Sequence, residues 1–429
     1  MLALPILILL LALLAIGAPV ALSLAVSGAA GLFAVGGAGM LVGVLETTPL
    51  SAASSYELIT IPMFILMAEF VIMSGVADSL FKTASTWVGR VPGGLAMATA
   101  LAGAGFGAIS GSSTASAATL SATTIPAMLR QKYEPGLACG VVAISGTLAM
   151  LIPPSVALVL FGIIADVSIG KLLVAGVIPG IIVTFTIMLT VYYQVWRDPS
   201  RAPAGQAYTL MEKIRSTRTV GPMLFLFMAV TGVIYTGIAT PTEASGLGAF
   251  GAMLLAWRAK ELTVRKLLDA LTRSARTSCM IVLIILGAHI FGYFFTLTQT
   301  TQNIVAWVGS LPLEPWMVMA IILFIYIILG TFLDQIAILI LTVPVMMPLV
   351  VSLGYDPVWF GVIVIVTAEV GLVTPPVGLN VFVVSRYTGR PLDEVFRGVL
   401  PHVVAHLFVI ALFLAYPKII LWLPNTMAG

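Results

Sequence analysis

Charge is what this sequence has least of. Of its 429 residues 9% are charged and 60% are hydrophobic, whereas a soluble domain carries about 25% charged residues. That excludes an aqueous globular fold of this length and leaves lipid as the solvent. The first charged residue is Glu46, and the uncharged run before it is enough for two helical passes of about 20 residues each. The N-terminus lacks the basic n-region of a secretory signal, so Leu2–Ile16 reads as a retained helix. Cysteine is nearly absent. Cys139 and Cys279 lie in separate apolar segments and read as small buried hydrophobes. The histidines are His289, His402 and His406. His402 and His406, four residues apart, can share a helical face, but no Cys or acid stands beside them at metal spacing. No HExxH and no GxxxxGK[ST] loop occurs, which removes metalloprotease and ATP-driven readings. Ser110-Gly111 and Ser145-Gly146 lack the leading Gly of a Gly-x-Ser-Gly loop, since Ala108 and Ala143 stand there. The chain therefore reads as no enzyme, and no nucleic-acid partner is expected; a net charge of +3 says little about partners, because the position of each charge matters more than the sum.

What is present is a series of apolar segments: 1–18, 20–45, 57–76, 93–128, 136–163, 172–196, 219–237, 239–257, 277–298, 316–351, 358–384 and 399–423. Two of them, 93–128 and 316–351, are too long for one span and short for two, and each carries a polar or Gly-marked break near its middle. Lys and Arg set orientation, because cytoplasmic loops collect them. Arg197–Arg218 holds five basic residues against two acidic, Arg258–Arg276 six against two, and Arg386, Arg390 and Arg397 form a third cluster. Segment 93–128 is flanked by Arg90, Arg130 and Lys132, so both its ends are expected in the cytoplasm. Segment 316–351 is flanked by Glu314 and Asp356, and no Lys or Arg occurs between Arg276 and Arg386. Both its ends are expected outside. Each long segment is thus a re-entrant hairpin, and the two enter from opposite faces.

The expected fold is an all-α polytopic membrane protein with two inverted repeats, each of five spans and one hairpin. Five crossings are an odd number, so the second repeat is upside-down relative to the first and both termini lie outside the cytoplasm. The expected organisation is a first repeat over 1–196, a cytoplasmic linker over 197–218, and a second repeat over 219–429 with an amphipathic segment at 258–276. Within that segment Val264, Leu267, Leu268 and Leu271 make one face, flanked by Arg265, Lys266 and Arg273, as in a helix lying along the interface. An internal repeat supports the division. Thr124-Ile125-Pro126-Ala127-Met128 is matched by Thr342-Val343-Pro344-Val345-Met346. Leu151-Ile152-Pro153-Pro154-Ser155 is matched by Val373-Thr374-Pro375-Pro376-Val377. Inverted repeats with broken helices mark secondary transporters, with the site at the repeat interface.

Three polar clusters fall at those breaks. The first is Gly107–Ser116, mid-hairpin in an apolar setting. Small residues also favour helix packing in membranes, but a dense hydroxyl run at a hairpin tip points to binding, since a chain break survives in hydrocarbon only inside protein or beside a cavity. The second is Gly330–Gln335. Asp334 is the only acid of that hairpin, and it reads as a functional intramembrane acid, as the cap of the following helix, or as both. The third is the pair of double prolines, Pro153-Pro154 and Pro375-Pro376. Proline frees upstream carbonyls, here those of Ala149 and Met150 and of Gly371 and Leu372. One such pair would read as a kink; two at matched positions point to paired ion sites. Glu69, Glu243 and Glu369 each read as a proton or ion ligand or as a paired or interfacial acid, with the second reading preferred.

In these motifs the sequence resembles the large membrane subunit of the tripartite ATP-independent periplasmic (TRAP) transporters. The resemblance rests on Gly107–Thr114 with Thr124-Ile125-Pro126, on Gly146-Thr147 with Ile152-Pro153-Pro154-Ser155, on Gly330-Thr331-Phe332-Leu333-Asp334, and on Thr374-Pro375-Pro376-Val377-Gly378. It runs the full chain. It implies an elevator-type importer in the bacterial inner membrane, driven by Na⁺ and taking organic acids such as dicarboxylates or sialic acids from a periplasmic binding protein (P-type). It also implies a separate small membrane subunit (Q-type). The cation sites it implies are Ser110, Ala149, Ile152 and Pro154 for the first, and Gly330, Gly371, Thr374 and Val377 for the second. Ala149 stands where many relatives have Gly. Substrate contacts are expected from Ser112, Ser113, Thr114, Thr331 and Asp334. The nearest alternative is a stand-alone sodium–carboxylate symporter that needs no binding protein. A purely structural membrane anchor would not explain two matched, polar-tipped hairpins.

Overall fold

The computed structural model describes residues 3–427 apart from 204 and 206, and every regular element among them is helical. The chain opens with α1 (Ala3–Ala15) and α2 (Val20–Ala53), then α3 (Thr60–Met73) and a short α4 (Val76–Val88). The first two residues of segment 1–18 lie outside the described residues. Hairpin one is α5 (Gly94–Ser110) and α6 (Ser113–Thr123), continued by α7 (Ile125–Arg130) with Pro126 in its first turn. Next come α8 (Pro135–Gly146), a 3-10 turn at Thr147–Met150, and α9 (Val156–Ala165), then α10 (Ile169–Ala175) and α11 (Val177–Arg197).

The second half repeats this order. It has α12 (Leu210–Tyr235), α13 (Pro241–Arg258), α14 (Val264–Leu297) and a short α15 (Thr300–Gly309). Hairpin two is α16 (Pro315–Phe332) and α17 (Gln335–Ser352). After it come α18 (Pro357–Gly371), α19 (Leu379–Thr388), α20 (Leu392–Ala415) and α21 (Lys418–Leu421). Among the described residues eight helices are long and apolar enough to cross a membrane, the two of hairpin two included. Segments 136–163 and 358–384 do not qualify because each is broken at its double proline. Both Pro153–Pro154 and Pro375–Pro376 are joined by cis peptide bonds.

The repeats exchange partners, which is how an inverted pair closes on itself. Among the early helices, α2 packs on α14, α3 on α13 and α4 on α12. In the core, hairpin one lies against α8 and its 3-10 turn, and hairpin two lies against α18. Then the breaks cross over: α9, from the first half, packs on α17 of hairpin two, and α19, from the second half, packs on α6 of hairpin one. Helix α18 is the centre of this core, and every residue from Val358 to Gly371 is buried. By contrast Phe185, Leu189, Trp196, Phe225 and Met228 on α11 and α12 are exposed, an apolar surface that lipid, not water, would cover. An apolar cavity of about 620 Å³ separates α5 and α11 from α12.

Two local expectations resolve differently. The amphipathic stretch after Thr263 is not a separate interfacial helix; it is the first turns of α14, capped by Thr263 and continuous with the span. Residues 210–218 of the basic stretch likewise open α12, whose start carries a capping box between Thr209 and Glu212. Of the three acids in or near spans, Glu69 pairs with Arg273 at 2.8 Å and Glu243 closes the capping box of α13 with Thr240. Glu369 lies in the core.

Candidate functional site

Hairpin one turns within two residues. Gly111 takes a left-handed conformation (φ +56) that a side chain would strain. Ser112 is extended and caps α6, accepting from the Ala115 N–H at 3.4 Å. The tip hydroxyls bond to one another: Ser110 to Ser116 at 2.5 Å, and Ser112 to Thr114 at 3.3 Å. Ser110 Oγ also accepts from the Ser112 N–H at 3.3 Å and donates to the Ser112 carbonyl at 3.2 Å, meeting backbone groups that the break exposes. Hairpin two turns at Leu333-Asp334, and Asp334 caps α17 by accepting from the Ala337 N–H at 2.9 Å. The cap role of Asp334 is therefore real, and its charge at the tip remains available for a second role.

Each tip is seated on a double-proline break. A Cβ built on Gly107 would lie 2.9 Å from both N and Cα of Ala149. A Cβ built on Gly371 would lie 2.5 Å from Cα of Gly330 and from the carbonyl oxygen of Ile327. The two contacts are repeat counterparts, and in each a glycine lets backbone meet backbone. In the first half the glycine stands on the hairpin, which is why Ala149 is tolerated opposite it. In the second half glycine stands on both sides. Thr331 ties hairpin two to the break, its carbonyl accepting from the Gly378 N–H at 3.3 Å.

The structure thus seats Gly107, three residues before Ser110, on Ala149, and Gly330 on Gly371 at the start of the second break. The freed carbonyls are partly engaged. Met150 accepts from the Ser155 hydroxyl. Gly371 accepts from the Thr374 N–H at 2.9 Å, and Leu372 from the Asn380 N–H at 3.1 Å. A carbonyl has two lone pairs, so each keeps one for another partner. The Thr374 hydroxyl donates to Val370 at 2.7 Å and the Thr331 hydroxyl to Ile328 at 2.8 Å; both oxygens can still accept. These are oxygen donors of the kind a hard cation takes.

Ser113 sits differently from its neighbours. It is buried, and its hydroxyl lies 2.6 and 2.7 Å from the two carboxylate oxygens of Glu369. That pair joins the tip of hairpin one to α18, two residues before Gly371, and Asp334 lies within electrostatic reach. The sequence reading left Glu369 out of the site. Its place two residues before a predicted ligand was the available signal. Gln335 and Asn380 were also missed. Both are buried, and both Gln335 amide atoms and Asn380 Oδ1 are unpaired among the described residues. Gln335 follows a predicted site residue, whereas nothing in sequence marks Asn380 beyond its position after the second break.

Two inverted repeats, each with a hairpin seated on a broken helix, define a membrane secondary transporter. Residues 7–419 match the family described as tripartite ATP-independent periplasmic transporter, DctM component. The chain is 36% identical over 371 residues to the C4-dicarboxylate TRAP transporter large permease protein DctM of Pseudomonas aeruginosa, covering 86% of each chain. It is 30% identical to the sialic acid TRAP transporter large permease protein SiaM of Vibrio cholerae, covering 89% of each. The isethionate TRAP transporter permease protein DctMQ of Oleidesulfovibrio alaskensis is 31% identical, with 95% of this chain and 64% of that one covered. In fold it is similar to the Alcanivorax borkumensis YdaH transporter, at a TM-score of 0.64 and 13% identity over 90% of each chain. The chain belongs to the DctM family of TRAP transporter large permeases, a family of transporters rather than enzymes. It is a multi-pass protein of the bacterial inner membrane.

Proposed function

We propose that this permease imports organic acids by sodium symport, receiving them from a periplasmic binding protein (P-type). The solutes are dicarboxylates, sialic acids or similar carboxylates, as the names of the relatives suggest. The observation that carries the reading is the matched seating of two hairpin tips on two double-proline breaks. Na⁺ site one is Ser110 with backbone oxygens of Ala149, Ile152 and Pro154. Site two is Gly330, Gly371, Thr374 and Val377. Neither set includes a carboxylate, which suits an ion that must be released as well as bound. Each ion joins a hairpin to its break, so loading would close the hairpins over solute.

The solute carboxylate would lie between the tips, near Ser112, Thr114, Thr331 and Asp334. Ser113 contributes through its backbone, since its hydroxyl is engaged by Glu369. The first N–H groups of α6 and α17 are unpaired within their helices and carry positive partial charge, which favours an anion. The first repeat ends with α11 at Arg197 and the second begins with α12 at Leu210, so the stretch between them is shorter than 197–218. Hairpins, breaks and α20 would move together as an elevator against α2, α3, α13 and α14, along the apolar gap beside α12. A separate small membrane subunit (Q-type) would brace that scaffold.

The test is uptake into liposomes holding the permease and its small subunit, with a panel of radiolabelled organic acids. Each acid is offered with and without the binding protein under an inward Na⁺ gradient. Uptake that needs both supports the proposal. Uptake with Na⁺ alone replaces it by a stand-alone symporter, and uptake indifferent to Na⁺ removes both cation sites.

A further inference from the structure

A polar stripe runs along the middle of the scaffold helix α14. His289 stands 13 residues after Arg276 and nine before the C-cap Thr298, so it lies about 20 Å and about 13 Å along the axis from those two points. That is too deep for an imidazole to reach water along its own helix. Tyr293 and Thr296 follow at four and seven residues, on the same face. All three are exposed, and all three line one cavity of about 240 Å³. Polar and ionisable side chains at such depth are costly, and they mark a pathway or a site.

The opposite wall of that cavity does not match the stripe. It is made by Leu341, Pro344 and Val345 of hairpin two and by Ile164 of α9, whose side chains neither donate nor accept. The Nδ1 of His289 lies 2.9 Å from the Ile285 carbonyl. A carbonyl only accepts, so Nδ1 carries the hydrogen and Nε2 is left for the cavity. The Thr296 hydroxyl donates to the Gly292 carbonyl at 3.0 Å, and its oxygen can still accept. Hairpin two carries polar groups at another level. Asp334 at its tip precedes Leu341 by seven residues and Val345 by eleven, which is about 10 and 16 Å along α17. Both ends of this hairpin are expected outside, so the tip lies that much nearer the cytoplasm than the stripe. A slide of hairpin two toward the outer face by about 10–16 Å would remove the mismatch and set Thr331 and Asp334 opposite His289 and Tyr293.

We propose that His289 and Tyr293 are the scaffold's contacts to the transported solute: in the outward position of the elevator the tip of hairpin two stands level with them, and they hydrogen-bond polar groups of the solute that the hairpin tips leave uncovered. They are specificity-determining residues on the part that stays still. In the inward position, which is the arrangement seen here, the same groups face an apolar wall. The solute therefore gains these contacts where it is loaded and loses them where it is released, a difference in affinity between the two states. The solute that fits is an organic acid with a second polar group, a hydroxyl or another carboxyl, away from the carboxylate held between the tips. This inference rests on the elevator reading above and not on sodium coupling.

The test uses the full-length permease with its small subunit in liposomes, with Cys139 and Cys279 replaced by alanine. Gly292→Cys lines the cavity, and its Cβ would meet nothing within 4 Å. It is paired with Leu333→Cys at the tip, or with Leu341→Cys across the same cavity. A flexible bis-methanethiosulfonate should join the Leu341 pair in resting protein and the Leu333 pair during turnover, with uptake stopped by either link and restored by reductant. If the Leu341 pair links and the Leu333 pair does not, hairpin two does not reach the stripe and the proposal falls. If neither pair links, the cavity is not between these elements and the proposal falls with it. The second arm measures uptake by His289→Ala and Tyr293→Phe of whichever of succinate, N-acetylneuraminate and isethionate the wild type carries. The expected result is a KM raised about 3- to 10-fold, with the maximal rate and melting temperature near wild type. An unchanged KM, or a loss of rate that follows a lowered melting temperature, overturns the proposal. Links that form while uptake is indifferent to Na⁺ would fail the sodium reading and leave this one standing.

Discussion

Replacing Gly371 by alanine tests the seating of hairpin two most directly. The new Cβ would lie 2.5 Å from Cα of Gly330 and from the oxygen of Ile327, where carbon contacts settle at about 3.5–4.0 Å. Both neighbours are backbone, so no side chain can swing aside, and the hairpin must retreat by about 1 Å. Overpacking of this kind costs about 1–3 kcal/mol. The retreat also stretches the bond between the Gly378 N–H and the Thr331 carbonyl, already 3.3 Å long, and moves Gly330 off the second break. If the cost falls on closure of site two, the apparent Na⁺ affinity drops roughly 5- to 150-fold. The assay is the Na⁺ dependence of solute uptake, with Na⁺-dependent thermal melts on the purified permease as the binding readout. Ala149→Gly is the matched control. It removes a methyl where Gly107 already provides the space, and should leave Na⁺ affinity within a few-fold of wild type. Unchanged Na⁺ affinity and stability in G371A would refute close seating of hairpin two and, with it, the construction of site two.

Three further outcomes follow from the same geometry. Asp334→Asn keeps an acceptor suited to an N-cap, so its melting temperature should stay near wild type, whereas Asp334→Ala should lose about 1 kcal/mol; if the charge serves transport, both lose uptake. Ser113→Ala strands a buried carboxyl and should destabilise by about 1–3 kcal/mol, visible in thermal melts. Arg273→Ala should shift stability by no more than about 1 kcal/mol, because this arginine is 59% exposed where it meets Glu69; a larger loss would show that the pair anchors α14 to α3.

The elements with strong local causes were legible from residues alone. Composition dictated the lipid environment, and the polar breaks within 93–128 and 316–351 marked the turns now seen at Gly111-Ser112 and Leu333-Asp334. The double prolines located both helix breaks, because proline cannot continue a helix whatever surrounds it. The start of α14 was misread as interfacial, since hydropathy does not register a helix that begins charged and continues apolar. Pairings across the repeats were decided only in three dimensions. Nothing local to Ala149 or Gly371 states that a hairpin backbone will press against it, or that α9 leaves its own hairpin for α17. Ser113 and Glu369 are 256 residues apart. One read as a substrate contact and the other as a paired or interfacial acid, until the inverted repeats closed and made each the other's side-chain hydrogen-bond partner. Sequence carries residue type and local period; burial and partnership arise when distant segments exclude lipid and water together.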